Sequence, residues 1–211
     1  MKRLNILWIG LISVLMTACY DDYEKDYDKS SVYFASQKPL RTLVADTDMS
    51  IKVGVAIGGK REVHTDDWAT FEIDPSLLDG TGLTLMPENY YQLANPNKMT
   101  ISNPNLAIAD VKVTFSDAFY EDNDALNKHY AIPFRLVDHN QDEISTDVNG
   151  NLKDYSIVVV KFVSQYHGTY FVKGKVTNLS TQQVTEYSNK DLSQNMTRDF
   201  VSLGRNKVRR P

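Results

Sequence analysis

Four histidines, His64, His129, His139 and His167, are the first residues to test for chemistry. None pairs with another at the HxH, HExxH or HxxxH spacing that would bring two imidazoles to one metal. No GxSxG, SxxK or GxxxxGK(S/T) run is present, which excludes the common activated-serine and phosphate-cradle signatures. Asp138-His139-Asn140-Gln141-Asp142-Glu143 opens like a calcium loop, with side-chain oxygens at its first, third and fifth positions. The pattern then fails, because Glu143 stands where the turn needs glycine and Asn149 where a closing glutamate belongs. That stretch is expected to be a hairpin loop, and Glu121-Asp122-Asn123-Asp124 a solvated one. Aromatic residues remain, since a flat ring packs against CH groups while polar neighbours bond to hydroxyls. Trp68, which follows Thr65-Asp66-Asp67, and Tyr90 and Tyr120, near expected loops, are the candidate ligand contacts. Tyr90 and Tyr91 are adjacent, so on a strand they face opposite ways and at most one is exposed. These residue types indicate a non-enzyme with no metal site and no cofactor.

Cys19 is the single cysteine, so no disulfide within the chain and no cysteine cluster can form. Its position carries more. Met1-Lys2-Arg3 is basic, Leu4 to Met16 is mostly apolar and uncharged, and Thr17-Ala18 brings small residues up to Cys19. This is the layout of a secretory signal, too short for a membrane span of about 20 residues. Leu15-Met16-Thr17-Ala18-Cys19 resembles a bacterial lipobox, with Met16 departing from the usual leucine. The resemblance implies cleavage before Cys19 and acylation of its thiol, which would anchor the chain stably in a membrane. Removing residues 1–18 leaves 21 bases against 27 acids, a net charge of −6, which argues against nucleic acid as a partner. Residues 19–30 read as an acidic, solvated tether, with five acids and two bases between Tyr20 and Lys29.

The elements that must position the candidate residues are strands. Ile51, Val53, Val55 and Ile57 alternate with polar or small residues up to Gly58-Gly59. Further strands are expected at 32–35, 69–73, 100–101, 111–115, 130–137 and 155–163, separated by Gly, Asn, Asp and Pro clusters. Short alternating runs with this punctuation indicate an all-β sandwich or barrel. A short helix is expected over Pro75–Leu78, with Asp74 as N-cap and proline at the first position. The run Ser156–Val163 is apolar enough to be buried on both faces, and it should close a first domain over residues 31–163. Tyr166 to Val176 begins a new alternation. The 48 residues from 164 to 211 are too few for a β domain that is stable alone. They are read as the incomplete start of a second β domain.

The order Leu85–Leu93, Met99–Ile101, Val111–Phe115, Tyr130–Leu136 and Ile157–Phe162 resembles the immunoglobulin-like N-terminal domain of unknown function found in Bacteroides surface lipoproteins. Those lipoproteins are encoded in glycan-utilisation loci, and some carry a family 18 endo-β-N-acetylglucosaminidase domain behind this module. The resemblance implies an immunoglobulin-like β-sandwich over residues 31–163 and a non-catalytic role in glycan binding or as a spacer. The alternatives it leaves open are an adhesion or structural module that binds protein, and an accessory fragment of a glycoside hydrolase. The acidic run behind Cys19 also looks like the export signal of Bacteroidota surface lipoproteins, implying display on the outer membrane. The partners implied are the membrane through Cys19, a glycan and an outer-membrane protein. The DxxDxDxE-type motif of the family 18 enzymes is absent, and the family offers no catalytic residues that match positions in this chain.

Overall fold

A computed structural model describes residues 29–47, 49–60 and 62–211. The expected signal segment 1–18, Cys19 and the part of the expected tether before Lys29 lie outside the described residues. In chain order the strands of the first part are β1 (Ser31–Tyr33), β2 (Leu40–Val44), β3 (Ser50–Gly58), β4 (Trp68–Ile73), β5 (Thr84–Leu85), β6 (Tyr91–Leu93), β7 (Lys98–Ile101), β8 (Ile108–Phe115), β9 (Tyr130–His139), β10 (Glu143–Ile144) and β11 (Tyr155–Val163). Among the described residues these eleven form one sheet with the path β10-β1-β3-β8-β7-β4-β9-β11-β2, while β5 and β6 join β9 and β8 from the side. The sheet curls over so that Val53, Val55 and Ile57 of β3 and Val111, Val113 and Phe115 of β8 share one core with Ile132, Phe134, Val158, Val160 and Phe162. The protein is all-β, with the immunoglobulin-like sandwich that its strand order implies.

β11 buries both faces, since Val158, Val160 and Phe162 enter the main core while Ile157 packs with Leu78 and Ala131 in a second, outer cluster. The lid of that outer cluster is the helix expected over Pro75–Leu78, formed as a 3-10 helix whose N-cap Asp74 accepts from the Ser76 N–H at 3.0 Å. Pro133 lies inside β9, where a missing N–H would normally break a ladder. It is tolerated because β4 ends at Ile73, opposite Phe134, so the ladder on that side has already stopped. The Pro133 carbonyl then accepts the Asp74 N–H at 3.0 Å.

Gly54 sits in the middle of β3, opposite Asp110 of β8. A Cβ there would lie 2.5 Å from the Ala109 carbonyl oxygen and 2.9 Å from the Asp110 Cβ. Both neighbours belong to a paired strand and cannot swing away, so Gly54→Val is expected to destabilise the chain by about 1–3 kcal/mol. Urea denaturation checks this, and an unchanged midpoint would show that the strands yield at this point.

The chain leaves the sandwich through a turn in which the His167 N–H reaches the Ser164 carbonyl at 2.9 Å. β12 (Gly168–Phe171), β15 (Thr197–Gly204) and β16 (Lys207–Arg209) then form a three-stranded sheet, and β13 (Gly174–Thr177) pairs with β14 (Val184–Tyr187). The single alternation expected over Tyr166–Val176 is therefore two strands in different sheets. The break falls at Gly174, whose φ of +134° lies in a region that side chains avoid. Arg205 ties this part to the sandwich, donating to Asp46 at 2.6 and 2.9 Å and pairing with Asp117 at 2.8 Å.

Candidate functional site

The three aromatic residues singled out in the sequence do not come together. Trp68 opens β4 half-buried, with the Lys98 ammonium 5.0 Å from its ring centre, and its backbone N–H donates to the Asn140 side-chain oxygen at 2.9 Å. Tyr120 corrects the expectation of an exposed contact. It lies 1% exposed on a short helix, α1 (Asp117–Glu121), whose Phe119 and Tyr120 both point into the core. Phe119 meets Tyr90, Phe115, Tyr120 and Phe162 at centroid distances of 6.1, 5.0, 5.2 and 5.7 Å. Five residues with adjacent buried rings carry no readable helical period, which is why the segment looked like a loop.

Tyr90 also turns inward. Its hydroxyl donates to the Asp122 carboxylate at 3.0 Å, and the Tyr130 hydroxyl donates to the same oxygen at 2.6 Å. The other Asp122 oxygen accepts the Asp124 N–H at 2.9 Å and caps a 3-10 helix over Asn123–Leu126. The run expected to be solvated thus contains a structural hub. Burial pushes the Asp122 carboxyl up, but the bonds from Tyr130, the Asp124 N–H and Tyr90 together hold it below its ordinary value. The same carboxylate raises the Tyr130 phenol far above its ordinary value.

The calcium-like stretch is an internal clamp. Asn140 accepts from Trp68 and donates to the Asp66 carbonyl at 3.1 Å, and Gln141 donates to Asp67 at 2.9 Å. Asp142 accepts from the backbone and hydroxyl of Ser30, both at 2.7 Å. Lys60 already supplies the cation for Asp67 at 2.6 Å. Among the described residues no group of three or more His, Cys, Asp or Glu is placed to hold a metal ion.

The better candidate lies beside Tyr90. A 3-10 helix over Glu88–Tyr90 runs directly into β6, and β6 pairs with β8 in the register Tyr91↔Phe115, Gln92↔Thr114 and Leu93↔Val113. Directly opposed residues share a side of a sheet, so Tyr91 leans toward the core edge beside Phe115 while Gln92 and Thr114 face outward. An open depression of about 370 Å³ straddles this edge, lined by Glu88, Asn89, Tyr91, Gln92, Thr114, Phe115 and Ser116. Glu88, Asn89, Gln92 and Thr114 are exposed. Burial, and then the Glu88 charge, raise the Tyr91 phenol above its ordinary value. A half-buried aromatic ring among exposed amides, a carboxylate and a hydroxyl can pack on CH groups and bond to hydroxyls. At most one of the two tyrosines is expected to be exposed, with Tyr90 as the candidate contact; both are half-buried, and Tyr91 rather than Tyr90 lines the depression.

A domain of this class, an immunoglobulin-like sandwich followed by further β strands, has known counterparts. Residues 27–143, more than half of the chain, match a family model described as "-like, N-terminal domain". The chain belongs to this family. A comparison with curated proteins found no match. Among solved structures, a Bacteroides ovatus protein of unknown function is 22% identical with a TM-score of 0.68, covering 84% of this chain and 67% of its own. An auxiliary nutrient binding protein from Bacteroides thetaiotaomicron is 11% identical with a TM-score of 0.48, covering 83% of this chain and 60% of its own. EndoBT-3987 from the same species, solved with a Man5GlcNAc product, is 21% identical with a TM-score of 0.42, covering 64% of this chain and 32% of its own. The likeness to the first of these is one of fold.

Proposed function

We propose that this chain is a non-catalytic, surface-anchored lipoprotein module that captures glycan, with the depression at Glu88, Asn89, Tyr91, Gln92 and Thr114 as its binding site. The observation that carries this reading is the set of four exposed polar side chains around one half-buried tyrosine. A glycosidase holds two carboxylates across the scissile bond, and Glu88 is the one acid lining this depression. The depression therefore suits binding rather than cleavage. Screening the full chain on a glycan array tests the reading, and no retention on any host or plant glycan would overturn it.

The anchor is part of the proposal. Acylated Cys19, followed by the acidic tether, would hold the module on the outer face of the outer membrane. Cys19→Ser is expected to move the protein from the membrane fraction to the soluble one. Protease treatment of intact cells should remove the unmodified protein, and full protection would contradict surface display. A second reading, binding to a protein partner, draws on the apolar side chains that β12–β16 and their loops leave exposed, among them Phe171, Val176, Leu179 and Val184. Pull-down with the full chain against outer-membrane and host matrix proteins tests this second reading, and no retained protein would count against it.

A further inference from the structure

On another side of the sandwich, two adjoining depressions of about 110 and 350 Å³ run between β2 and the outer face of β3 and β8. They share Ala35, Arg41, Lys52 and Gly54, so they form one continuous groove. Its floor is low because Gly54 stands where any Cβ would strike the backbone of β8. Ala35 and Ala56 keep the adjoining surface small. At one end Leu106 and Ile108 are 61% and 40% exposed, an apolar shoulder.

The charges in this groove do not cancel. Lys52 pairs with Asp110 at 3.0 Å, and its side chain is still 61% exposed. Arg41 is exposed on the edge strand β2, which pairs only with β11 among the described residues. No carboxylate among the described residues pairs with it. Two cations and one carboxylate therefore leave a single unmatched positive charge, on a chain whose net charge is −4. A guanidinium presents a planar fork that fits a carboxylate through two parallel hydrogen bonds.

We propose that this groove binds the carboxylate of an acidic sugar residue, a uronic acid or a related sugar acid. Arg41 grips the carboxylate, Lys52 adds the second cation, and the CH face of the ring lies on Leu106 and Ile108. One unmatched charge suits a monoanion better than a doubly charged phosphate ester. The inference rests on the glycan-binding reading and deepens it at a site separate from the Glu88–Thr114 depression.

The test uses the full chain with two probes, trigalacturonate and its fully methyl-esterified, neutral counterpart, each titrated calorimetrically. The free acid is expected to bind at least tenfold more tightly than the ester, with the difference shrinking as salt rises. Arg41→Ala should bring the acid down to the affinity of the ester, and Arg41→Lys should restore only part of the loss. Arg41 is exposed, so neither variant disturbs the core. Equal binding of acid and ester, or an Arg41→Ala variant that binds the acid normally, would overturn the proposal. So would displacement of the acid by an equal concentration of inorganic phosphate. Failure of both probes while neutral glycans still bind at the depression would sink the groove alone. Failure of every glycan would sink the broader reading with it.

Discussion

Replacing Phe119 by alanine is expected to destabilise the chain by about 3–5 kcal/mol, the range for emptying a buried aromatic site. Phe119 is 0% exposed and is the ring on which Tyr90, Phe115, Tyr120 and Phe162 converge. Backbone held in paired strands surrounds it, so the cavity can collapse only in part. Urea denaturation should show the midpoint falling with little change in slope. A loss below about 1 kcal/mol would mean that α1 is not wedged between the layers of the sandwich.

The second large effect is expected at Asp122. Asp122→Ala leaves the Tyr130 hydroxyl, on a residue only 8% exposed, without its acceptor, frees the Tyr90 hydroxyl and uncaps the helix over Asn123–Leu126. An unmet buried donor to a charged group and a lost cap together correspond to about 2–4 kcal/mol at neutral pH. The folded-state value of this carboxyl is depressed, so its contribution is complete above the unfolded value of about 3.9. It drains away as pH falls through the lower folded value. The gap between the two proteins should therefore be full at neutral pH and should narrow steadily below about pH 4. An equal gap at neutral and strongly acid pH would show that the carboxylate charge plays no part.

Both effects concern a region that the sequence disclosed poorly, whereas other parts were legible. β3 declares itself because one face is buried and the other is not, and β11 because both faces are buried. The Asp74-Pro75 pair announces its helix because cap and proline each solve a local backbone problem. β2 carries no such mark. Leu40-Arg41-Thr42-Leu43-Val44 lies at an edge with only Leu43 buried, so no alternation betrays it. α1 is shorter than the two turns that a helical period needs, and its burial is imposed by the layers on either side.

The candidate site was legible to the same degree. At most one of the adjacent tyrosines could be exposed on an extended chain, and in the fold both are half-buried against the core: Tyr90 ends a 3-10 helix and is held by Asp122, 32 residues further along the chain, while Tyr91 opens β6. Tyr120 was misread for a related reason, because its ring packs on Phe162 of β11, a contact far along the chain that no local pattern displays. The polar rim of Glu88, Asn89 and Gln92 is assembled with Thr114 only through the β6–β8 register.

The central claim is that the depression beside Tyr91 binds glycan, and its most direct test is calorimetric titration of the full chain with the strongest array ligand. The comparison is with the double variant Glu88→Ala/Gln92→Ala, which alters two exposed side chains and leaves the core intact. The account predicts about a tenfold or greater loss of affinity for the variant, the size expected for removing two hydrogen-bonding groups, with unchanged urea stability. Equal affinity in the two proteins would contradict it.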